Sequence, residues 1–271
     1  MTITTRDQLI DALGNNSSRL VIDKATLTNA AAGQFFSLWT ATGVPGAGSA
    51  PGAAAVPTKA TTGALGFANQ TAPATSYIAW LATQASNNAT NLEIHDRITH
   101  MSGLSGTVTT AQGALSLVTT DPGADRLGDA NYSDVQWWLE IYTALGATGV
   151  NATVAVKYND DSTGNLAAIA LGATPRQGRL YPLVSASPGK FIKEITGGTL
   201  SATTGTAGNF GFTATRPRTS ISMPLANKTE TFDWAMLGLP NVPNDSCLMM
   251  LMCCTTTSTG MVRGQGKVVH K

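Results

Sequence analysis

From Val150 to Tyr158 the chain alternates without a break, with Val150, Ala152, Val154, Val156 and Tyr158 on one side and Asn151, Thr153 and Lys157 on the other. Period-two alternation marks a half-buried strand, and the Asp-Asp-Ser-Thr-Gly turn that follows predicts an antiparallel hairpin with one face in a core. Phe210, Phe212 and Ala214 repeat the pattern, and Pro217 is expected to end that strand or to mark a sheet edge. The segment SDVQWWLEIYTALGATGV fits two periods: Val135, Trp138, Leu139 and Tyr142 suit a helix, whereas Val135, Trp137, Leu139 and Ile141 suit a strand. The Gly-Ala-Thr-Gly turn leading straight into Val150 decides for the strand. The run CLMMLMCC, Cys247 to Cys254, is apolar throughout and fits a strand buried on both faces.

Before Met101 the spacing changes and helices are expected. Thr5 and Gln8 fit a capping box, with Leu9, Ile10 and Leu13 on one face and Gly14 at the stop. Asn29 to Gly43 reads as a second helix presenting Phe35, Phe36 and Trp39, and the stretch from Thr75 to Met101 reads as mainly helical, with Ile78, Leu81 and Ala85 on one face. Arg19 to Asp23 reads as a short strand. Between them, from Gly43 to Pro73, Gly, Ala, Pro and Thr leave few large side chains to offset the ordering entropy. A loop of that length is unusual inside a compact domain, which predicts an extended arm over a neighbouring subunit. The pattern sums to a mainly β chain with N-terminal helical additions, an α+β class. No repeat of about 20 to 50 residues is present.

Composition narrows the partners. The 271 residues suffice for a core without metals or disulfides. With 17 Lys and Arg against 16 Asp and Glu, the formal charge of +1 gives no field to attract nucleic acid or anionic lipid. Charged residues are 12% of the chain, about half the usual share, and Thr, Ser, Asn, Gln and Gly take their place. The opening MTITTRDQLIDALG lacks the apolar core of a signal peptide, and no run reaches the roughly 18 apolar residues of a membrane helix. Both point to synthesis in a cytoplasm without membrane attachment. The Asn-x-Ser/Thr triplets at Asn69, Asn88, Asn131, Asn151 and Asn227 follow from a composition rich in Asn and Thr. Cys247, Cys253 and Cys254 are odd in number and have no Cys-x-x-Cys spacing, so they are expected to be reduced, packed as small hydrophobes.

Chemistry concentrates in HDRITHMSGLSGTVTT, His95 to Thr110, which holds two of the three histidines. Zinc on a helix needs histidines at i and i+4 with a carboxylate between. His95 and His100 are five apart, about 500 degrees of helix rotation, and the rings diverge. Ser105 in GLSG lacks the Gly-x-Ser-x-Gly elbow. The structural reading has Asp96 and Arg97 pairing with backbone or each other, His100 donating to a carbonyl, and Gly103 and Gly106 turning the chain at positive φ. Gly205, Gly208 and Gly211 precede a strand and make no dinucleotide fingerprint. The Ser187 to Lys190 echo of a Ser-x-x-Lys pair has no companion motif. Trp137, Trp138 and Tyr142 could stack a sugar, but in a strand pattern they read as core or interface. No catalytic, cofactor-binding or metal-ligating residue and no cofactor is expected.

The opening DQLIDAL, the segment NAAAGQFFSLWTATGVPGAG, HDRITHMSGLSGTVTT, the hairpin VQWWLEIYTALGATGVNATVAVKY and GTAGNFGFTATRPR together resemble a family of tailed-bacteriophage virion proteins associated with the head. The likeness spans most of the chain up to about Arg218. It implies a capsid decoration, cement or minor capsid protein that is not an enzyme, built on an antiparallel β-sandwich or jelly-roll-like domain. It further implies self-association, as a trimer, with the major capsid protein as partner, no nucleic acid or membrane, and a place in a virion assembled in the host cytoplasm. The expected organisation is a helical region over 1–102 that includes the 43–73 arm, a sandwich over 103–218, and an extension over 219–271 packed on the core or on a neighbour. A charge-poor surface agrees in kind, since interface cores are depleted of charge. Two other classes stay open: a tail or neck subunit that forms tubes or collars, and a hydrolase acting on glycans or peptides, which needs a cleft with a titratable pair.

Overall fold

The computed structural model describes residues 3–25, 31–87, 90–255 and 260–271. The first half of the chain carries α1 (Arg6–Asn15), β1 (Ser17–Lys24), β2 (Gln34–Ser37), β3 (Gly43–Val44), β4 (Ser76–Ala85), β5 (Thr90–Leu104), β6 (Leu115–Ser116), α2 (Leu117–Thr120) and α3 (Ala124–Leu127). Next come β7 (Gln136–Thr143), β8 (Val150–Tyr158), β9 (Thr163–Asn165), β10 (Ile169–Gly172), β11 (Arg179–Leu183) and β12 (Ile192–Leu200). The rest is β13 (Asn209–Met223), β14 (Glu230–Asp233), α4 (Trp234–Leu237), β15 (Asn241–Val242), β16 (Leu248–Cys254) and β17 (Val262–His270). The chain is mainly β with antiparallel pairing, and it divides into two compact units. β5 and β13 each begin in one unit and end in the other.

The first unit comprises Met1–Ser49, Thr58–Asp96 and Arg218–Lys271. One sheet runs β14-β4-β17-β1-β3, with β15 also on β4, and a second set pairs β2 with β16 and β16 with β5. Leu20, Ile22, Ile78, Leu81 and Val268 of the sheet share one apolar cluster with Phe36, Ile94, Met250 and Met252 of the second set. Each such side chain, fully buried, contributes about 1.5–3 kcal/mol of transfer free energy. β17 lies at the centre between β4 and β1, so the sheet is complete only when this strand is in place.

The second unit comprises Ala50–Pro57 and Arg97–Pro217. Its sheet runs β10-β8-β12-β6 with β9 on β8, and its other strands run β5-β13-β7-β11. Val154, Val156 and Ile195 of the sheet join Trp137, Leu139, Phe210 and Phe212 of the other set in one cluster. The strands expected at 135–142, 150–158 and 247–254 are β7, β8 and β16, and the Asp-Asp-Ser-Thr-Gly turn closes the β8–β9 hairpin.

The helical expectations before Met101 need correction. α1 forms, with Thr5 Oγ1 accepting the Gln8 N–H at 3.3 Å, but Gln8 returns its bond to Thr4 N–H at 2.9 Å, and Ile10 is left 59% exposed while Leu9 and Ala12 are buried. The region from Thr75 to Met101 is β4 and most of β5. Ile78 and Leu81 face the same core three residues apart because Ala79 is an extra residue opposite the Lys267–Val268 step of β17. A bulge of this kind flips the period-two parity and imitates helical spacing. Phe35 and Phe36 belong to β2, paired with Cys253 and Met252, and the expected start of that helix at residues 29–30 lies outside the described residues. β13 continues through Pro217 to Met223; its last pair with β7 is Thr215, so the missing proline N–H costs that ladder nothing.

The 43–73 segment is laid on its own chain. In the first unit, Trp39 packs so tightly on Gly48 and Gly63 that a Cβ at Gly48 would stand 2.2 Å from the ring, and its Nε1 donates to Ser49 O at 2.7 Å. Lys24, fully buried, donates from Nζ to Ala41 O at 2.8 Å and Gly46 O at 3.2 Å. In the second unit, Ala55 and His100 exchange backbone bonds of 2.9 and 3.0 Å. Side chains from outside the segment thus supply burial that its own residues lack. Residues 218–271 pack with Met1–Ser49 and Thr58–Asp96 in the first unit.

Candidate functional site

β5 carries the stretch that concentrates chemistry, and alternate residues of a strand point to opposite faces. In the first unit, His95 is fully buried with its Nε2 2.8 Å from Glu93 Oε2. Asp96 is also fully buried: Oδ1 accepts the backbone N–H of Cys247 at 2.8 Å and Oδ2 accepts from Arg218 at 3.3 Å. Arg218 donates further to Asn241 O at 3.2 Å, so one carboxylate ties β13 and the segments around β15 and β16 together.

In the second unit the cluster centres on Arg97, fully buried and paired with Glu140 of β7, itself 1% exposed. Thr213 of β13 donates to the same Glu140 oxygen at 2.5 Å, and Arg97 NH1 lies 3.0 Å from His100 Nδ1. A guanidinium only donates, so Nδ1 is the acceptor and the ring proton sits on Nε2. Tyr142 Oη stands 3.0 Å from the same Nδ1 and 3.3 Å from Thr213 Oγ1. Burial, reinforced by the Arg97 charge, holds His100 far below the ordinary histidine value, so the ring is neutral. Burial is also the first cause that pushes the Tyr142 phenol up. Arg126 donates to Arg97 O at 2.7 Å.

This arrangement ties β5 to β7 and β13 through buried polar contacts. His100 Nδ1 engages Arg97 and Tyr142, Arg97 pairs with Glu140, and Asp96 pairs with the Cys247 backbone as one of the two expected alternatives. Ser105 bonds Thr107 at 2.9 Å and no histidine. Gly103 turns at φ 89°, but Gly106 does not have positive φ; it is glycine because a Cβ would stand 2.5 Å from Thr204 Oγ1. Trp137, Trp138 and Tyr142 are buried, and the two indoles donate to Ile192 O at 2.8 Å and Thr215 Oγ1 at 2.9 Å, which leaves no face for a sugar. The Lys190 ammonium reaches Ser162 and Asp160, and only its backbone N–H bonds Ser187, at the carbonyl. Gly205 and Gly208, both at positive φ, turn the chain into β13. None of the three cysteines is in a disulfide; Cys247 and Cys254 are buried, and burial followed by the Glu93 charge raises the Cys253 thiol. Among the described residues no three His, Cys, Asp or Glu side chains gather as a metal site, and no helix is long and apolar enough to cross a membrane.

Sequence reasoning missed Glu140, Thr213 and Arg126. The signal was present: a single acidic residue inside the apolar run WWLEIY must find a cation if that strand is buried on both faces. It also missed a second polar cluster, Ser18, Ser76 and His270, where β1, β4 and β17 meet.

No family model matches the chain, and no curated protein does. Among solved structures, similarity extends to infectious bursal disease virus of the Gt strain, at 12% identity over 94% of this chain and 81% of that one, with a TM-score of 0.19. The Gx strain of the same virus is similar at 11% identity over 94% and 80%, TM-score 0.20, and its VP2 subviral particle at 11% over 94% and 80%, TM-score 0.15. TM-scores this low record a distant likeness to viral particle proteins and do not establish a shared fold.

Proposed function

We propose that this chain is a non-enzymatic virion structural protein that self-associates, as a trimer, and binds the capsid shell of a tailed phage to stabilise it. The observation that carries the reading is the fate of the densest chemical stretch. Every side chain from His95 to His100 that could act on a substrate is buried and engaged within the fold. Charged residues at 12% and large exposed side chains such as Val184, Met236 and Leu225 suit a surface covered by neighbours. Within each unit two strand layers share one apolar cluster, and we read both as jelly-roll-like sandwiches. The sequence resemblance to head-associated phage proteins supplies the station: decoration or cement on the shell, added in the host cytoplasm.

Adding purified protein to heads that lack it, and measuring occupancy together with the heat resistance of the shells, tests the reading. Stoichiometric binding with a raised disruption temperature is expected. Failure to bind, combined with rings or tubes formed by the protein alone, would assign it to the tail or neck instead. Turnover of glycan or peptide substrates would refute the non-enzymatic role.

A further inference from the structure

At one end of the first unit's sheet, β17 brings His270 beside β1 and β4. Ser76 stands directly opposite His270 in the ladder, and Ser18, opposite Val268, shares that face. Ser18 Oγ lies 2.8 Å from His270 Nε2, and Ser76 Oγ lies 2.9 Å from Nδ1. Ala68 N–H donates to Ser18 Oγ at 2.9 Å, which leaves the hydroxyl proton available to the ring. With its proton on Nδ1 and given to Ser76, the imidazole presents the Nε2 lone pair to Ser18. His270 and Ser76 are buried at 3% and 1%, whereas Ser18 is half-buried. A hydroxyl, a base in hydrogen-bond reach and a third group that orients the base form the arrangement of an activated nucleophile.

We propose that Ser18 is an acyl-acceptor site, activated by His270 and positioned through Ser76, which takes one acyl group from an activated ester or thioester. As Ser18 Oγ bonds the acyl carbon, its proton passes to His270 Nε2. The bond from that carbon to the leaving oxygen or sulfur breaks, and the proton moves on to the leaving group. The products are one O-acyl serine and one alcohol or thiol, with no change of oxidation state. Burial first, and then the Lys59 charge, lowers the His270 pKa, which keeps the ring neutral and favours return of the proton. The neighbouring Lys271 directs its charge to Asp11 at 3.0 Å. The modification is stoichiometric, and it stands or falls independently of the shell-binding role.

The full-length protein is treated with 4-nitrophenyl acetate and analysed by intact mass and peptide mapping. One acetyl group on Ser18 is expected, absent in Ser18→Ala and absent from Ser18 once the chain is unfolded in urea. His270→Gln can keep hydrogen bonds to both serines but cannot carry the proton, so acetylation should slow about a hundredfold or more. Ser76→Ala should slow it less. In the wild type the rate should rise with pH to a plateau, with its midpoint below the usual histidine value. No acetyl on Ser18 of the folded protein, or His270→Gln reacting at the wild-type rate, would overturn the assignment and leave the cluster a structural clasp. If His270→Gln does not fold, a pH-independent wild-type rate overturns it equally.

Discussion

Glu140→Gln isolates what the buried ion pair contributes. The substitution preserves volume and leaves an oxygen for Thr213, whose hydroxyl is 2.5 Å from Glu140 Oε2, so cavity and hydrogen-bond losses are small. What it removes is the counter-charge of Arg97, which is fully buried and cannot turn to water. His100 cannot substitute, because it already accepts from Arg97 as a neutral ring. Breaking a buried pair from one side typically costs about 3–5 kcal/mol, much more than a neutral hydrogen bond at about 0.5–1.5 kcal/mol. Replacing both members, Arg97→Met with Glu140→Gln, removes the stranded charge and should recover most of that loss. Urea unfolding followed by the fluorescence of Trp137 and Trp138, which neighbour Glu140 on β7, reads both variants. A single-variant loss under about 1 kcal/mol, or a double variant no better than the single one, would refute the reasoning that charge pairing, not packing, holds this cluster.

Three further outcomes follow from individual groups. His100 has its pKa depressed below 6.5, so the unfolded chain takes up a proton that the native one refuses; stability should fall as pH drops below about 6.5, by up to about 1.4 kcal/mol per unit, in urea titrations, and less steeply in His100→Gln. Burial lowers Lys24 from 10.5 to about 8, so between those values the unfolded state holds more protons; the difference in stability between wild type and Lys24→Met should shift toward the wild type as pH rises through that window. Gly48→Ala forces a methyl into the Trp39 ring and should cost about 1–3 kcal/mol with a changed tryptophan spectrum, while the 43–73 segment of the isolated wild type should resist limited proteolysis.

How much of this was legible in the sequence depended on whether one face or two were buried. β8 shows water to every second residue, so its alternation is printed in the residue types, and the β8–β9 hairpin follows from the turn. β4 is buried almost throughout, with apolar side chains under α1 on one side and in the main core on the other, and the Ala79 bulge resets its parity. Nothing in such a run separates strand from helix by period; only the β-branched and aromatic content of SYIAWLAT argues for the strand. For the His95 to Thr110 bracket the helical-spacing argument does not apply, because His95 and His100 lie on a strand. Its partners Glu140, Thr213 and Cys247 come from segments far along the chain, and a single sequence does not reveal which segments are neighbours.

The 43–73 segment shows the same limit from the opposite side. Small residues bring little apolar area of their own, which in the sequence predicts an arm that borrows burial from a neighbouring subunit. In the fold their smallness is the contribution: Gly48 and Gly63 admit the Trp39 ring at distances no side chain would permit, and the Gly46 carbonyl receives a buried lysine. The ordering entropy is offset by groups belonging to β1 and to the turn after β2, not by the segment. A composition argument counts what a stretch can bury of itself and cannot count what it allows others to bury.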